Sequence, residues 1–188
     1  MARWERAWSR RKWLLANAAG FAAPLLVAQD HAGSTFPSAI KRYSDPATEF
    51  DVYRLTDPAF TSILPAPYNR AIARSGGWMI FAGDRGGSLQ AFRIDLKTGE
   101  TRELTSAENL DAGSLTLTPD NRSFCYFAGR SLFSSMIGGR TREIYKIPDG
   151  WERTAGFSVG AGDKSRWLVT LAVLQPPARQ TVRVMIPA

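Results

Sequence analysis

One short strand pattern returns three times along this 188-residue chain at a nearly constant interval. Val52-Tyr53-Arg54-Leu55-Thr56 recurs as Thr101-Arg102-Glu103-Leu104-Thr105 and as Glu143-Ile144-Tyr145-Lys146-Ile147, with Leu55, Leu104 and Ile147 spaced 49 and 43 residues apart. A second series keeps step with it. Trp78-Met79-Ile80-Phe81-Ala82 returns as Phe124-Cys125-Tyr126-Phe127-Ala128 and then as Trp167-Leu168-Val169-Thr170-Leu171, at intervals of 46 and 43. Short strands recurring every 40–50 residues or so are the mark of a β-propeller, in which each repeat is one antiparallel blade. No stretch beyond the N-terminus holds a helical period for three turns. The chain is therefore expected to be all-β, an incomplete propeller of about three four-stranded antiparallel blades behind an N-terminal signal helix.

Turn chemistry places the blades near 69–105, 114–147 and 156–186 within a partial propeller of residues 50–188. In the first, Asn69–Ala73 is the expected inner strand, followed by Trp78–Ala82, Leu89–Asp95 and Thr101–Thr105. Lys97-Thr98-Gly99-Glu100 closes a hairpin in which Gly99 supplies a positive φ. The second repeats the order with Ser114–Leu117, Arg122–Ala128, Ser131–Met136 and Arg142–Ile147. The third begins with Gly156–Val159 and Arg166–Val173. Its pattern then fails, because Gln175-Pro176-Pro177-Ala178-Arg179 does not read as a blade hairpin and only Thr181–Ile186 remains as a strand. Three blades are too few to close a ring, so the chain is expected to be the N-terminal part of a longer propeller. Val52–Thr56, which precedes any blade of its own, is the kind of strand that completes a last blade. Left open, such an array carries an association hazard through its unpaired blade edge, and self-association is the expected liability.

The formal net charge of +7 does not imply nucleic acid. Arg3, Arg6, Arg10, Arg11 and Lys12 lie in residues 1–28 against Glu5 alone, and without that segment the net charge falls to +3, spread between acidic residues with no basic stripe. Residues 1–28 read instead as an export signal. The basic segment containing the Arg10-Arg11 pair precedes a 16-residue apolar stretch from Trp13 to Ala28, short of the roughly 20 residues a membrane-spanning helix needs. The arginine pair with a weakly hydrophobic, Ala-rich stretch matches a twin-arginine signal, and an ordinary secretory signal or uncleaved anchor remains the plainer alternative. A bacterial periplasmic or extracellular location follows from either signal. Residues 29–49, rich in Ser, Ala, Gly, Asp and Pro, read as a linker or arm. Cys125 is the one cysteine, so no internal disulfide is possible, and its apolar alternating surroundings point to a buried structural thiol.

Several ordered segments carry a family resemblance. Val52-Tyr53-Arg54-Leu55-Thr56-Asp57-Pro58, Tyr68-Asn69-Arg70, Phe92-Arg93-Ile94-Asp95-Leu96-Lys97-Thr98-Gly99-Glu100, Leu115–Asp120 and Pro148-Asp149-Gly150-Trp151-Glu152 together resemble the oligogalacturonate lyase family over about residues 43–160. The resemblance implies a seven-bladed propeller that cleaves pectin-derived oligogalacturonides by β-elimination. A base takes the proton α to the uronate carboxylate and the glycosidic oxygen at C4 leaves, with the enolate-like charge offset by a metal or by cationic side chains. It further implies a divalent metal, typically manganese, held by histidines and a glutamine of the C-terminal half, with another histidine and an arginine of that half in proton abstraction. This chain departs from the pattern, since its single histidine, His31, follows the signal. No catalytic or metal-binding residue is carried over, no cofactor is assigned to this chain, and it is expected to be inactive as a lyase alone.

What remains is a candidate contact for an oligogalacturonide or other uronide. Tyr68-Asn69-Arg70 opens an inner strand, where an arginine can pair with a carboxylate and Asn69 can bond a sugar hydroxyl; Arg70 bonding a neighbouring blade is the competing expectation. Asp84-Arg85 lies on a Gly-rich loop and serves equally as turn chemistry. Trp78, Phe92, Phe124, Phe127 and Trp167 have the periodic placement of blade-packing aromatics, and Trp151 is either packing or a sugar platform. Two other functions stay open: a non-catalytic TolB-like module binding a protein or polysaccharide in the cell envelope, and a peptidase lid. The lid requires a hydrolase domain with a Gly-x-Ser-x-Gly elbow, which is not expected in this chain.

Overall fold

The computed structural model describes residues 33–161, 166–175 and 178–187, so the expected signal, Arg10, Arg11 and His31 lie outside the described residues. The described chain is β-strand throughout apart from one 3-10 turn at Ala112–Ser114. Three antiparallel sheets succeed one another along the sequence. The first is built from β4 (Ser62–Ile63), β5 (Trp78–Gly83), β6 (Gln90–Asp95) and β7 (Thr101–Glu103), with β1 (Thr35–Phe36) added outside β7. The second is β8 (Thr116–Leu117), β9 (Ser123–Ala128), β10 (Ser131–Met136) and β11 (Thr141–Lys146). The third is β12 (Glu152–Ala161), β13 (Arg166–Gln175) and β14 (Ala178–Pro187). A separate hairpin pairs β2 (Lys41–Ser44) with β3 (Asp51–Arg54).

Period-two alternation stacks the sheets. On β5, Ile80 and Ala82 face the second sheet, where they join Leu115, Leu117, Phe124 and Tyr126 in one buried cluster. On β9 the intervening Cys125 and Phe127 face the other way and join Phe157, Val169, Leu171, Val173 and Ile186 of the third sheet. Strands buried on both faces read as unbroken apolar runs, which is why β5 and β9 are the clearest repeats in the sequence. Phe92, Phe124 and Phe127 are fully buried, while Trp78 and Trp167 pack against the clusters from their margins.

Several elements differ from expectation. Asn69–Ala73 makes only an isolated bridge, Ile72 to Met79, and the ordered inner strand is Ser62–Ile63, paired with Gly83 and Ala82. The inner edge of the first sheet is thus shared by two segments, with the Pro65–Pro67 loop between them. Asp51–Arg54 pairs with Lys41–Ser44 in its own hairpin. Gln175 pairs directly with Ala178, so two ten-residue strands stay in register up to the residues on either side of positions 176 and 177. Gly156-Phe157-Ser158-Val159-Gly160 does spell Gly-x-Ser-x-Gly, correcting the expectation that the pattern is missing. It lies inside β12 with Ser158 paired to Thr170, however, and a nucleophile elbow needs a sharp strand-to-helix turn.

The arm before the blades is a packed element. β1 continues the first sheet with Thr35 opposite Arg102 and Phe36 opposite Thr101. Phe36 and Leu55 pack on Met79, Phe81, Phe92 and Ile94, the face of the first sheet turned away from the second. Two glycines make this possible. A Cβ at Gly33 would overlap the Glu103 backbone, and one at Gly99, whose φ is 75°, would overlap Ser38 and Ile40 of the arm.

Candidate ligand-binding site

Asn69 and Arg70 are fixed by the second sheet. A turn, closed by the Asn69 amide donating to the Ala66 carbonyl at 2.8 Å, brings the segment alongside the start of the second blade. There the Asn69 side-chain amide donates to the Gly113 carbonyl at 2.8 Å, the Arg70 amide donates to Thr116 Oγ1 at 3.2 Å, and the Leu117 amide donates to the Arg70 carbonyl at 2.8 Å. The Arg70 guanidinium donates to the Asn121 side-chain oxygen and, at 3.5 Å, to the Pro119 carbonyl. Asn121 can present that oxygen because it holds the turn in the left-handed region, at φ 61°, which asparagine tolerates. Burial lowers the Arg70 pKa, as does Arg74, against the opposing pull of Asp120. The structure therefore places Asn69 and Arg70 at the joint between two blades, with their hydrogen-bonding groups turned to protein.

Tyr68 is different. It is 70 % exposed and overhangs the third sheet across a groove of about 440 Å³ lined by Phe157, Ser158, Thr170, Leu171, Ala172 and Thr181. The groove is built from two distant parts of the chain, which hides it from a linear reading. The alternation in Leu168-Val169-Thr170-Leu171-Ala172-Val173 was its one signal, since Val169, Leu171 and Val173 are buried against the second sheet and Thr170 and Ala172 must face away.

Asp84 and Arg85 do not line that groove. Asp84 accepts from the Thr61 amide at 2.8 Å and caps its own turn through the Gly87 amide at 2.8 Å. Arg85 lies over the Phe36 ring at 4.6 Å and the Phe60 ring at 5.6 Å, clasping the arm to the first blade. Beside it is a small cavity of about 20 Å³, room for about one water molecule. Trp151 packs against the second-to-third-sheet core, and its carbonyl accepts from Arg130 at 3.0 Å. Arg153 crosses the same joint, paired with Asp111 and seated 4.3 Å over Phe127.

Cys125 is fully buried and its thiol pKa is pushed up to about 12 by desolvation, only slightly countered by a hydrogen bond with Ser134. It is a core side chain with no thiolate to offer. The implied divalent metal fits no residues described here: no group of three or more His, Cys, Asp or Glu side chains among the described residues could hold one. No chemical step through a metal is derived for this chain.

Successive radially stacked antiparallel sheets define a propeller architecture, and comparison with known proteins specifies it. No family model matches the chain. The chain is 26 % identical to an oligogalacturonate lyase of Dickeya dadantii (strain 3937) over 121 residues, 63 % of this chain and 31 % of that protein. Its fold superposes on an oligogalacturonate lyase solved in complex with manganese at a TM-score of 0.66, with 24 % identity over 74 % of this chain and 38 % of the other. It superposes on the oligogalacturonate lyase of Vibrio parahaemolyticus at 0.67, with 20 % identity over 75 % of this chain and 38 % of the other. The resemblance read from the ordered motifs is thus present in both sequence and fold. The chain spans about a third of the length of the relatives it matches.

Proposed function

We propose that this chain is the N-terminal part of an exported, oligogalacturonate-lyase-like propeller that engages pectin-derived uronides. The observation that carries this reading is the ordered sequence match to an oligogalacturonate lyase across 121 residues, on a fold that superposes on two others. The described residues supply a scaffold and a ligand-contacting groove. In the proposed reaction, removal of the proton α to the uronate carboxylate and expulsion of the C4 oxygen depend on residues and a divalent metal that the remainder of such a propeller provides. Export is supported by the Arg10-Arg11 pair and the apolar stretch behind it.

The experiment is to incubate the purified chain with trigalacturonate, with and without manganese, and to follow both binding and the ultraviolet absorbance of an unsaturated uronide. Binding without product is the expected result. Metal-dependent product would overturn the assignment of the chemistry to residues beyond this chain. Absence of any uronide binding would favour a non-catalytic envelope module.

A further inference from the structure

Strand register gathers basic residues that are scattered along the sequence. Ile80, Arg93, Arg102 and Thr35 form one cross-strand row over β5, β6, β7 and β1, on the face of the first sheet turned toward the second. Arg93 and Arg102 are directly opposed, a pairing that sets Cα atoms about 5 Å apart and makes like charges repel. Across the joint, the turn between β10 and β11 adds two more arginines. The Ile137 amide donates to the Arg122 carbonyl at 2.9 Å, and the Met136 amide donates to the Arg140 carbonyl at 3.1 Å. Arg102, Arg122 and Arg140 are exposed and Arg93 is half-buried.

Two of these guanidiniums are seated, and none of the four is neutralised. Arg93 lies 4.8 Å over the Trp78 ring. Arg102 reaches across the joint to the turn, where its Nη1 lies 3.6 Å from the Cβ position of Gly138. None of the four has an ion-pair partner among the described residues. The acids beside them in sequence are committed to backbone. Asp95 accepts from the Lys97 and Thr98 amides at 2.9 Å each, and Asp120 accepts from the Arg122 amide at 3.0 Å. Glu143 on β11 is exposed and forms an ion pair with none of them. Both walls of this joint belong to described sheets. A blade added beyond β14, or one closing a ring against the outer face of the first sheet, would lie on the far side of one sheet or the other and leave this rim open.

We propose that the rim of the joint between the first and second sheets, from Arg93 and Arg102 to the β10–β11 turn, is a docking surface for the carboxylates of a polyuronide chain. Two opposed arginines cost stability until an anion lies between them, and a planar guanidinium matches the two oxygens of a carboxylate. Arg93 and Arg102 take one uronate, and Arg122 and Arg140 take its neighbours along the chain. The surface is selective for an acidic sugar chain over its neutral counterpart. Trp78 is covered by Arg93, so it offers no bare face to a base, which disfavours a single-stranded nucleic acid as the occupant. This inference rests on the uronide-directed reading above and adds a contact separate from the Tyr68 groove.

The test is an NMR titration of the full chain with trigalacturonate, alongside neutral galactotriose and an oligothymidylate of the same charge. Saturable shifts at Arg93, Arg102, Gly138 and Arg140 are expected with trigalacturonate alone. Arg102→Gln should weaken trigalacturonate binding about tenfold, the loss of one charge-assisted contact. The same variant relieves the opposed like charges, so its unfolding midpoint in urea should hold or rise. Arg140→Gln, on the exposed turn, should weaken trigalacturonate several-fold at an unchanged midpoint. A lowered midpoint with unchanged affinity in Arg102→Gln would make the arginine pair structural and overturn the proposal. Uronide binding that shifts the Tyr68 groove and spares these arginines would overturn this surface while leaving the proposed function intact. Failure to bind any uronide would overturn both. Equal binding of the oligothymidylate or of galactotriose would overturn the assignment of the surface to uronate carboxylates.

Discussion

The two ends of the blade array are finished in opposite ways. The first sheet ends in an apolar surface, Met79, Phe81, Phe92 and Ile94, over which the chain folds Phe36 and Leu55. The third sheet ends in a mixed face of hydroxyls, Arg183, Ala172 and Met185 with only Tyr68 above the groove. One covers its hydrophobic face; the other carries less of it. The lesson is that an exposed sheet face must be judged by the side chains it presents. The association hazard expected for an open array therefore attaches less to the third sheet's surface than to the edge of β14, whose backbone groups face no further strand among the described residues.

The comparison fails first if the capped end is not the more tightly packed. Phe92→Ala removes a 1 % exposed ring stacked on Phe81 at 5.6 Å and tilted against Phe36 at 6.0 Å, and should destabilise by about 3–5 kcal/mol in urea. Gly99→Ala forces a side chain into a left-handed position beneath Ser38 and Ile40, and should cost about 1–3 kcal/mol while raising protease sensitivity in residues 33–60. Cleavage unchanged from wild type would mean that the arm does not depend on that seat.

The joint between the ends gives a pH test. The buried Cys125 thiol is raised to about 12 from its ordinary 9.0, so the native state holds a proton that the unfolded chain releases between those values. Stability is then undiminished below pH 9 and falls as pH rises toward 12, by about 1 kcal/mol at pH 10. Tyr126, likewise raised to about 12 by burial, adds to the decline at higher pH. Cys125→Ala should flatten the slope near pH 9–10, measured by urea unfolding across the series; an unaltered slope would place its origin elsewhere.

The smallest effects sharpen the contrast. Arg85→Ala loosens the clasp on Phe36 and Phe60 and should cost about 0.5–1 kcal/mol. Thr170→Val, on the half-open face of β13, should stay within about 0.5 kcal/mol of wild type. A Thr170→Val loss as large as that of Phe92→Ala would mean that the two ends are finished alike.

The blades were legible because their central strands obey a local rule. Met79–Ala82 and Phe124–Phe127 are buried on both faces, and that burial dictates residue type at every position. The arm was not legible, because a two-residue strand has no period to read and Thr35 owes its structure to Arg102. The same holds for Ser62–Ile63, whose partners Gly83 and Ala82 decide its place over the nearer Asn69–Ala73. In the candidate site, the sequence names Tyr68 but none of the residues that line the groove with it. Arg70's side chain is directed by a left-handed Asn121 on another blade, and the groove residues Ser158, Thr170 and Thr181 converge only once three strands are in register.

The pairing of Thr35 with Arg102 also sets an order in time. The arm is made before the strand that receives it, and no surface exists for Phe36 until Phe81 and Phe92 have come together across β5 and β6. Such long-range closure is a slow, late event in a folding reaction. Until it happens, Met79, Phe81, Phe92 and Ile94 are open to any neighbouring chain. The element that looks like a lead-in sequence thus cannot find its place before the first blade forms, and the interval until it does is time in which a newly made molecule can adhere to its siblings.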